Sequence, residues 1–177
     1  MTDCLAFPIS LCSIASHVSV PANLRQSALL YLKKFILMAW SRSMSDWRHG
    51  QYTVNENAKA QIRDALLKIA TSDNVADDRK IRAAASIVVS KIAGSDFPDE
   101  WPTLLPTLLQ LIPTANGPQL HGALRVLSDL VDEGFGEEQF FAVARDLVTV
   151  VYDVSLDEAR KPVLRALGTS HAVNIHS

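Results

Sequence analysis

An all-α fold, built from antiparallel helix pairs stacked in series, is what this sequence predicts, and three observations predict it. Apolar residues recur at steps of three and four along most of the chain, and no stretch alternates convincingly at the period of two that marks a half-buried strand. Most of the proline, glycine and polar clusters fall between those blocks. A nine-residue helical pattern also returns three times without gaps.

The first clear helix spans residues 21–40. Leu24, Ala28, Tyr31, Leu32, Phe35, Ile36 and Ala39 share one face, and Pro21 stands in the first turn, where its missing N–H costs least. The polar segment 41–55 ends it. A second helix over 56–70 buries Ala58, Ile62, Ala65, Leu66 and Ile69, and Thr71, Ser72, Asp73 and Asn74 supply the turn behind it. The third covers 77–93, with Asp77 and Asp78 near the positive end of its dipole and Gly94 as its stop.

A fourth helix, over 98–112, carries Trp101, Leu104, Leu105, Leu108, Leu109 and Ile112 in a broad apolar stripe. Pro98 and Pro102 suit its first turn, but Pro106 would remove an interior hydrogen bond, so a kink or a late start is expected there. A fifth helix over 118–133 stops at Gly134. The sixth, over 137–154, has Glu137 and Glu138 in its first turn, and 157–167 begins a seventh.

The recurring pattern occupies residues 24–32, 81–89 and 120–128, each expected to open the buried face of the first helix of a pair. The step from Ile81 to Leu120 is 39 residues, near the roughly 40–47 of HEAT and armadillo units. The step from Leu24 to Ile81 is 57, and the excess fits an insertion at 41–55. The expected architecture is therefore a HEAT-type, armadillo-like α-solenoid of three to four pairs over residues 21–167, each pair burying its apolar face on its neighbours. Residues 1–20 read as a remnant or atypical N-terminal segment, with 11–17 as the last turn of an earlier helix that lacks a partner. Residues 168–177 lose helical patterning and read as a disordered tail. Polar capping repeats are missing at both ends, so the chain reads as part of a longer solenoid.

Composition narrows the function classes. With 17 Lys+Arg against 19 Asp+Glu, the net charge of -2 argues against nucleic-acid or anionic-membrane binding as the main task. Cys4 and Cys12 are too few for a disulfide framework and lack metal spacing, which suits a reducing compartment, cytosol or nucleus. Residues 1–20 make a poor signal peptide, and no apolar run is long enough to span a bilayer.

Nothing in the sequence reads as catalytic. The patterns GxSxG, HExxH and GxxxxGK[ST] do not occur. His121 reads as a packed or rim histidine, Ser86 and Ser128 as small residues at helix contacts, and His171 with His176 as an incomplete ligand set in the tail. Lys33, Lys34, Trp40, Arg42, Trp47, Arg48 and His49 form a minor candidate for nucleic acid, diluted by Asp46 and Glu56. Trp47 and Tyr52 either anchor a partner or fold back on the stack. No cofactor or metal is expected.

Two stretches carry a family resemblance. Residues 95–105, with Phe97, Pro98, Trp101 and Pro102, resemble the FPxxWPxLL-type signature of importin-β superfamily receptors. Phe97 and Trp101 can wedge between helices while the two prolines fix the turn. Residues 23–36, with Arg25, Ala28 and Lys33, followed by Trp40, are similar to the N-terminal-domain helix of the same family. Residues 118–127 look closest to importin-9-like receptors, which carry histones and transcription factors. The resemblance covers roughly residues 11–160, without the family's first helix.

The resemblance implies a non-catalytic nuclear import receptor, cytoplasmic and nuclear, working at the pore. It implies protein cargo on the concave surface, Phe-Gly nucleoporin contacts, regulation by Ran-GTP, and neither direct nucleic-acid binding nor membrane insertion. An exportin of the same superfamily, or a HEAT scaffold of another class, are the alternatives. Ran-GTP is expected on the inner, second helix of each pair. With the pairs as read here, the faces opposite the apolar stripes supply Gln61, Asp64 and Lys68, then Thr103, Thr107 and Gln110, then Glu138, Arg145, Asp146 and Thr149.

Overall fold

The computed structural model describes residues 6–48, 54–74, 79–134, 137–163 and 165; the side chains of 133, 134, 137–140, 142, 143 and 159 are not among those described. The elements are α1 (Ala6–Ser16), α2 (Ala22–Ala39), α3 (Glu56–Ala70), α4 (Arg79–Asp96), α5 (Leu104–Leu111), α6 (Gly117–Gly134) and α7 (Glu137–Leu156). Short 3₁₀ turns follow α5 (Ile112–Thr114) and α7 (Glu158–Arg160). Among the described residues there is no strand, and the chain is an α-solenoid of the expected HEAT type.

Residues 6–16, expected to be a remnant ending in a last turn at 11–17, instead form a whole helix. α1 buries Pro8, Leu11, Cys12 and Ala15. It lies along α2, where the edge of Phe7 meets Phe35 at 5.9 Å between centroids. Burial pushes the Cys12 thiol up to about 12, so it stays protonated and unreactive.

The buried side of α2 is Arg25, Ala28, Leu29, Leu32, Phe35, Ile36 and Ala39. Leu24 and Tyr31, expected inside, are 53% and 61% exposed. α2 packs against both α1 and α4, and that turns its buried arc toward Arg25, Leu29, Leu32 and Ile36. α3 begins where Asn55 Oδ1 accepts the Ala58 N–H at 2.8 Å, with Glu56 in the first turn and Lys68 in the last.

α4 runs through Gly94, which was expected to stop it, and ends at Asp96. Nothing there demands a left-handed residue: a Cβ at Gly94 would meet no atom within 4 Å. The Phe97 N–H donates to the Ala93 carbonyl at 2.8 Å, so the ladder continues to its end. The expected positions Asp77 and Asp78 lie outside the described residues. The next helix starts late, at Leu104, which leaves Pro106 in the first turn, where no intrahelical bond is lost. Residues 97–103 form the connection, with a cis Phe97–Pro98 bond. It folds back on the Asp96 carbonyl, which accepts the N–H of Glu100 at 2.7 Å and of Trp101 at 2.8 Å. The seventh expected helix is a 3₁₀ turn over Glu158–Arg160 with helical residues at 161–163 and 165; the expected tail, 168–177, lies outside the described residues.

The pairing differs from expectation. α1 packs on α2 and α3 on α4, whereas α2 hardly touches α3. The 41–55 segment therefore joins two pairs and is not an insertion within one. The pairs are α1–α2, α3–α4 and α5–α6, and the three recurring segments lie in the second helix of each.

Two layers follow. α4 lies along both α2 and α6 in one continuous layer. In the other layer α3 and α5 are held apart by an open groove of about 530 Å³. Helices on the inside of an arch are closer together than those on the outside, so α2, α4 and α6 form the concave side. The core between the layers includes Leu32, Ile36, Ile62, Leu66, Ile81, Ile92, Leu104, Leu108 and Leu120, all essentially solvent-free. On α7, Phe141, Val148, Tyr152 and Leu156 remain exposed. Among the described residues no helix is long and apolar enough to cross a membrane.

Candidate functional site

The concave layer exposes a mixed apolar and basic surface. On α2, Ser27, Leu30, Tyr31, Lys33, Lys34 and Leu37, with Asp46 from the following loop, line an open groove of about 570 Å³. On α4 the less buried row is Lys80, Ala84, Ile87 and Lys91, and on α6 it is His121, Arg125, Ser128 and Asp132. These rows follow from helical spacing: they are the positions left over once each helix has buried one stripe against the other layer and its flanks against neighbours.

The seam between α4 and α6 is polar at one level. Ser86, fully buried, donates its hydroxyl to Asp129 Oδ2 at 2.7 Å, and Arg125 Nε donates to Asp129 Oδ1 at 2.9 Å. Ser86 thus does more than fill a helix contact. His121 is half-buried, as a packed or rim residue should be, and its buried Nε2 finds no hydrogen-bond partner among the described residues. Burial first, and then Arg79 and Arg82 on α4 and Arg125 on α6, hold its imidazole down to about 4 from 6.5. The unfolded chain takes up a proton near 6.5 while the folded chain waits until about 4. Stability present above that upper value is therefore lost as pH falls through the window. Urea midpoints at pH 7 and 5 should differ more for the parent than for His121→Gln; equal differences would show that His121 does not titrate in this way.

The other layer carries most of the residues predicted as the site. Asp64, Lys68, Thr103, Thr107 and Gln110 come together around the α3–α5 groove, with Leu67, Leu111 and Trp101 beside them. Gln61 lies exposed one turn earlier on α3, beside α1. Arg145, Asp146 and Thr149 are exposed on α7, and the side chain of Glu138 lies outside the described residues. α3 and α5 are the first members of their pairs, and α7 lies beside α5, all on the convex side. The expectation that they are inner helices is corrected for that reason.

Of the family-type residues, Trp40 and Trp101 converge on one buried ion pair. Trp40 Nε1 donates to both carboxylate oxygens of Asp96 at 3.0 and 2.9 Å. Arg63 Nε donates to Asp96 Oδ2 at 2.8 Å, and Arg63 Nη2 donates to the same oxygen, so that two charge-assisted bonds meet on it. The guanidinium stands 5.6 Å from the Trp40 ring and 5.9 Å from the Trp101 ring, between two indole faces. Phe97 and Pro98 are half-buried beside it and Pro102 is exposed. Arg25, buried, donates from Nε to the Ala15 carbonyl at 2.7 Å and so satisfies the end of α1, while Ala28 is buried on α2 and Lys33 lines the α2 groove.

Sequence reasoning missed Arg63 and Asp96. The available signal was a charged residue beside Ile62 in the buried stripe of α3, and an acid immediately before Phe97. Trp40, 2% exposed, has no face left for a nucleobase, which removes it from the nucleic-acid candidate. Trp47 is half-buried against the stack, and Tyr52 and His49 lie outside the described residues, as do Cys4, His171 and His176.

Residues 5–72 match the family described as Importin-beta N-terminal domain, which takes in α1, absent from the expected resemblance. Importin subunit beta-5 of Schizosaccharomyces pombe is 38% identical over 147 residues, 82% of this chain and 14% of that protein. Its namesake in Saccharomyces cerevisiae is 33% identical over 141 residues, covering 80% and 13%. Importin-9 of Drosophila melanogaster is 26% identical over 149 residues, covering 84% and 14%. The chain thus spans about 14% of the length of these relatives.

Proposed function

Because this chain belongs to the importin-β superfamily, we propose that it acts as the Ran-responsive N-terminal part of a nuclear transport receptor. It is non-catalytic and works by shape. Ran-GTP binds the concave layer and biases the curvature of the solenoid, which alters the hold on cargo carried elsewhere in the receptor. A ligand shifts such an equilibrium only by its differential affinity for the two shapes. Cargo, with histones or transcription factors as the class suggested by the importin-9 likeness, and Phe-Gly nucleoporins complete the partner set. The receptor moves between cytoplasm and nucleus through the pore.

The observation that carries this reading is the layer order. The family resemblance puts Ran on second helices, and the second helices here are α2, α4 and α6. That favours Leu30, Tyr31 and Lys34, with Lys91 and Arg125, over Asp64, Thr107 and Asp146 on the convex side. Exposed Leu30 and Tyr31 beside two lysines offer apolar anchoring and charge on one groove.

The test is capture of Ran loaded with a GTP analogue or with GDP on the immobilised chain. Selective capture of the GTP form is expected. Tyr31→Ala with Lys34→Glu should weaken it about tenfold or more, and charge reversal at Asp64 and Asp146 should leave it unchanged. The opposite pattern would return the site to α3, α5 and α7. No selectivity, by this chain or by one extended to the length of its relatives, would favour a scaffold of another class. Cargo binding with and without Ran-GTP then separates import from export.

A further inference from the structure

α7 carries two apolar rows, and the stack uses one of them. Leu147, Val150, Val151 and Val154 turn toward the core, where the helix lies beside α5 and the two 3₁₀ turns. Roughly 140° further round, at 100° per residue, Phe141, Val148, Tyr152 and Leu156 form a second row. Each of its members is between 60% and 75% exposed. Single exposed apolar residues are ordinary, but four in one row, over about 22 Å of helix, make a contact surface. Asp146, Thr149 and Asp153 border it on the polar side.

The order of residues in the row points to its occupant. Turned end for end about the midpoint between Val148 and Thr149, the row falls on itself. Phe141 then lies opposite Leu156, Val148 opposite Thr149, and the exposed Arg145 opposite Tyr152. The Thr149 hydroxyl already donates to the Arg145 carbonyl at 2.8 Å, which leaves its methyl group for Val148. Arg145 meets an aromatic face and not its own copy, so the twofold opposes no like charges there and gains a cation–π contact at each end. α1 also exposes Phe7 and Ile14, but Phe7 is already packed on Phe35 and the helix has no charged residue to set a register.

We infer that two copies of this chain pair through α7, antiparallel, about a twofold axis between Val148 and Thr149. The contact is isologous and closed, so it stops at a dimer. A single helix row falls short of the roughly 1,200 Å² of a standard interface, so the dissociation constant is expected at about 10–300 μM. α7 lies on the convex side, and the grooves of α2, α4 and α6 stay open in the pair. The inference goes beyond the Ran reading and does not depend on it.

Sedimentation velocity of the intact chain, from about 10 to 500 μM, tests it against that expected affinity. The parent should shift from one copy to two across this range. Val148→Glu brings two carboxylates together at the axis and should hold the chain at one copy. Arg145→Glu should weaken pairing about fivefold or more. Arg145→Glu combined with Tyr152→Arg places opposite charges across the axis and should restore it. The two positions are about 10 Å apart along one helix, so this rescue cannot arise within a single chain. All three positions are exposed, and far-UV circular dichroism checks that the variants keep their helix content. Pairing that survives Val148→Glu unchanged belongs to another face, such as Phe7 and Ile14, and overturns the inference. So does failure of the double variant to recover. A parent that stays single throughout overturns it as well. In that case a Val148→Cys thiol that labels quickly here, and slowly in a chain extended to the length of its relatives, would give the row to a following helix.

Discussion

Replacing Arg63 by alanine should lower the unfolding free energy by about 3–5 kcal/mol, the range for removing one partner of a buried ion pair. Arg63 and Asp96 side chains are 7% and 3% exposed, so the abandoned carboxylate has no water to turn to. Among the described residues it would keep the Trp40 indole N–H, at 2.9 Å, as its one side-chain donor. Neutralising both ends should cost much less. Arg63→Met with Asp96→Asn removes the charges together while keeping an amide oxygen for the Trp40 indole N–H, so no buried charge is left unpaired. The quantity to measure is the urea midpoint by far-UV circular dichroism, because Trp40 and Trp101 both face Arg63 and their fluorescence would report the local change as well as unfolding. A loss below about 1 kcal/mol for Arg63→Ala would place it among ordinary exposed ion pairs.

The same ion pair shows what the sequence made legible and what it did not. Helix existence was readable because each long helix carries an apolar stripe at its own period, and boundaries came within a few residues where Asn55 or Pro21 punctuates the start. α1 was harder: it has no charged residue in either end turn, so its amphipathic contrast is weak and only its last turn was visible. Gly94 misled because glycine marks helix ends only when a left-handed residue is needed, and here the helix simply continues. The pairing was out of reach of chain order. A long polar segment can lie within a pair or between two, and only packing of α1 on α2 decides. Once that shifted by one helix, the predicted residues whose side chains are described passed from the concave to the convex layer while staying exposed, as their spacing required. The signature residues were recognised through Phe97 and Trp101, but their purpose lies in Arg63 and Asp96, 33 residues apart in sequence and invisible to any local pattern.

Two identical substitutions in two helices should have opposite signs. At Gly122 a Cβ would fall 2.0 Å from the Ala70 carbonyl oxygen and 3.1 Å from its carbon. Neither atom belongs to a flexible side chain, so accommodation requires α6 to lift from the end of α3. Ala70 and Leu120 beside the contact are essentially solvent-free and have no slack to absorb the shift. Gly122→Ala should therefore destabilise by about 1–3 kcal/mol or more, despite the gain of up to about 1 kcal/mol that alanine brings to a helix interior. At Gly94 the same Cβ meets nothing within 4 Å, in a backbone that is already helical. Gly94→Ala should stabilise by about 0.4–1 kcal/mol through the entropy of the unfolded chain. Denaturant midpoints of the two single variants and their combination decide the matter. Stabilisation by both would mean that α6 does not approach α3 this closely. Opposite signs that add in the combined variant would fit two distant, independent sites, one held by backbone contact and the other open to solvent.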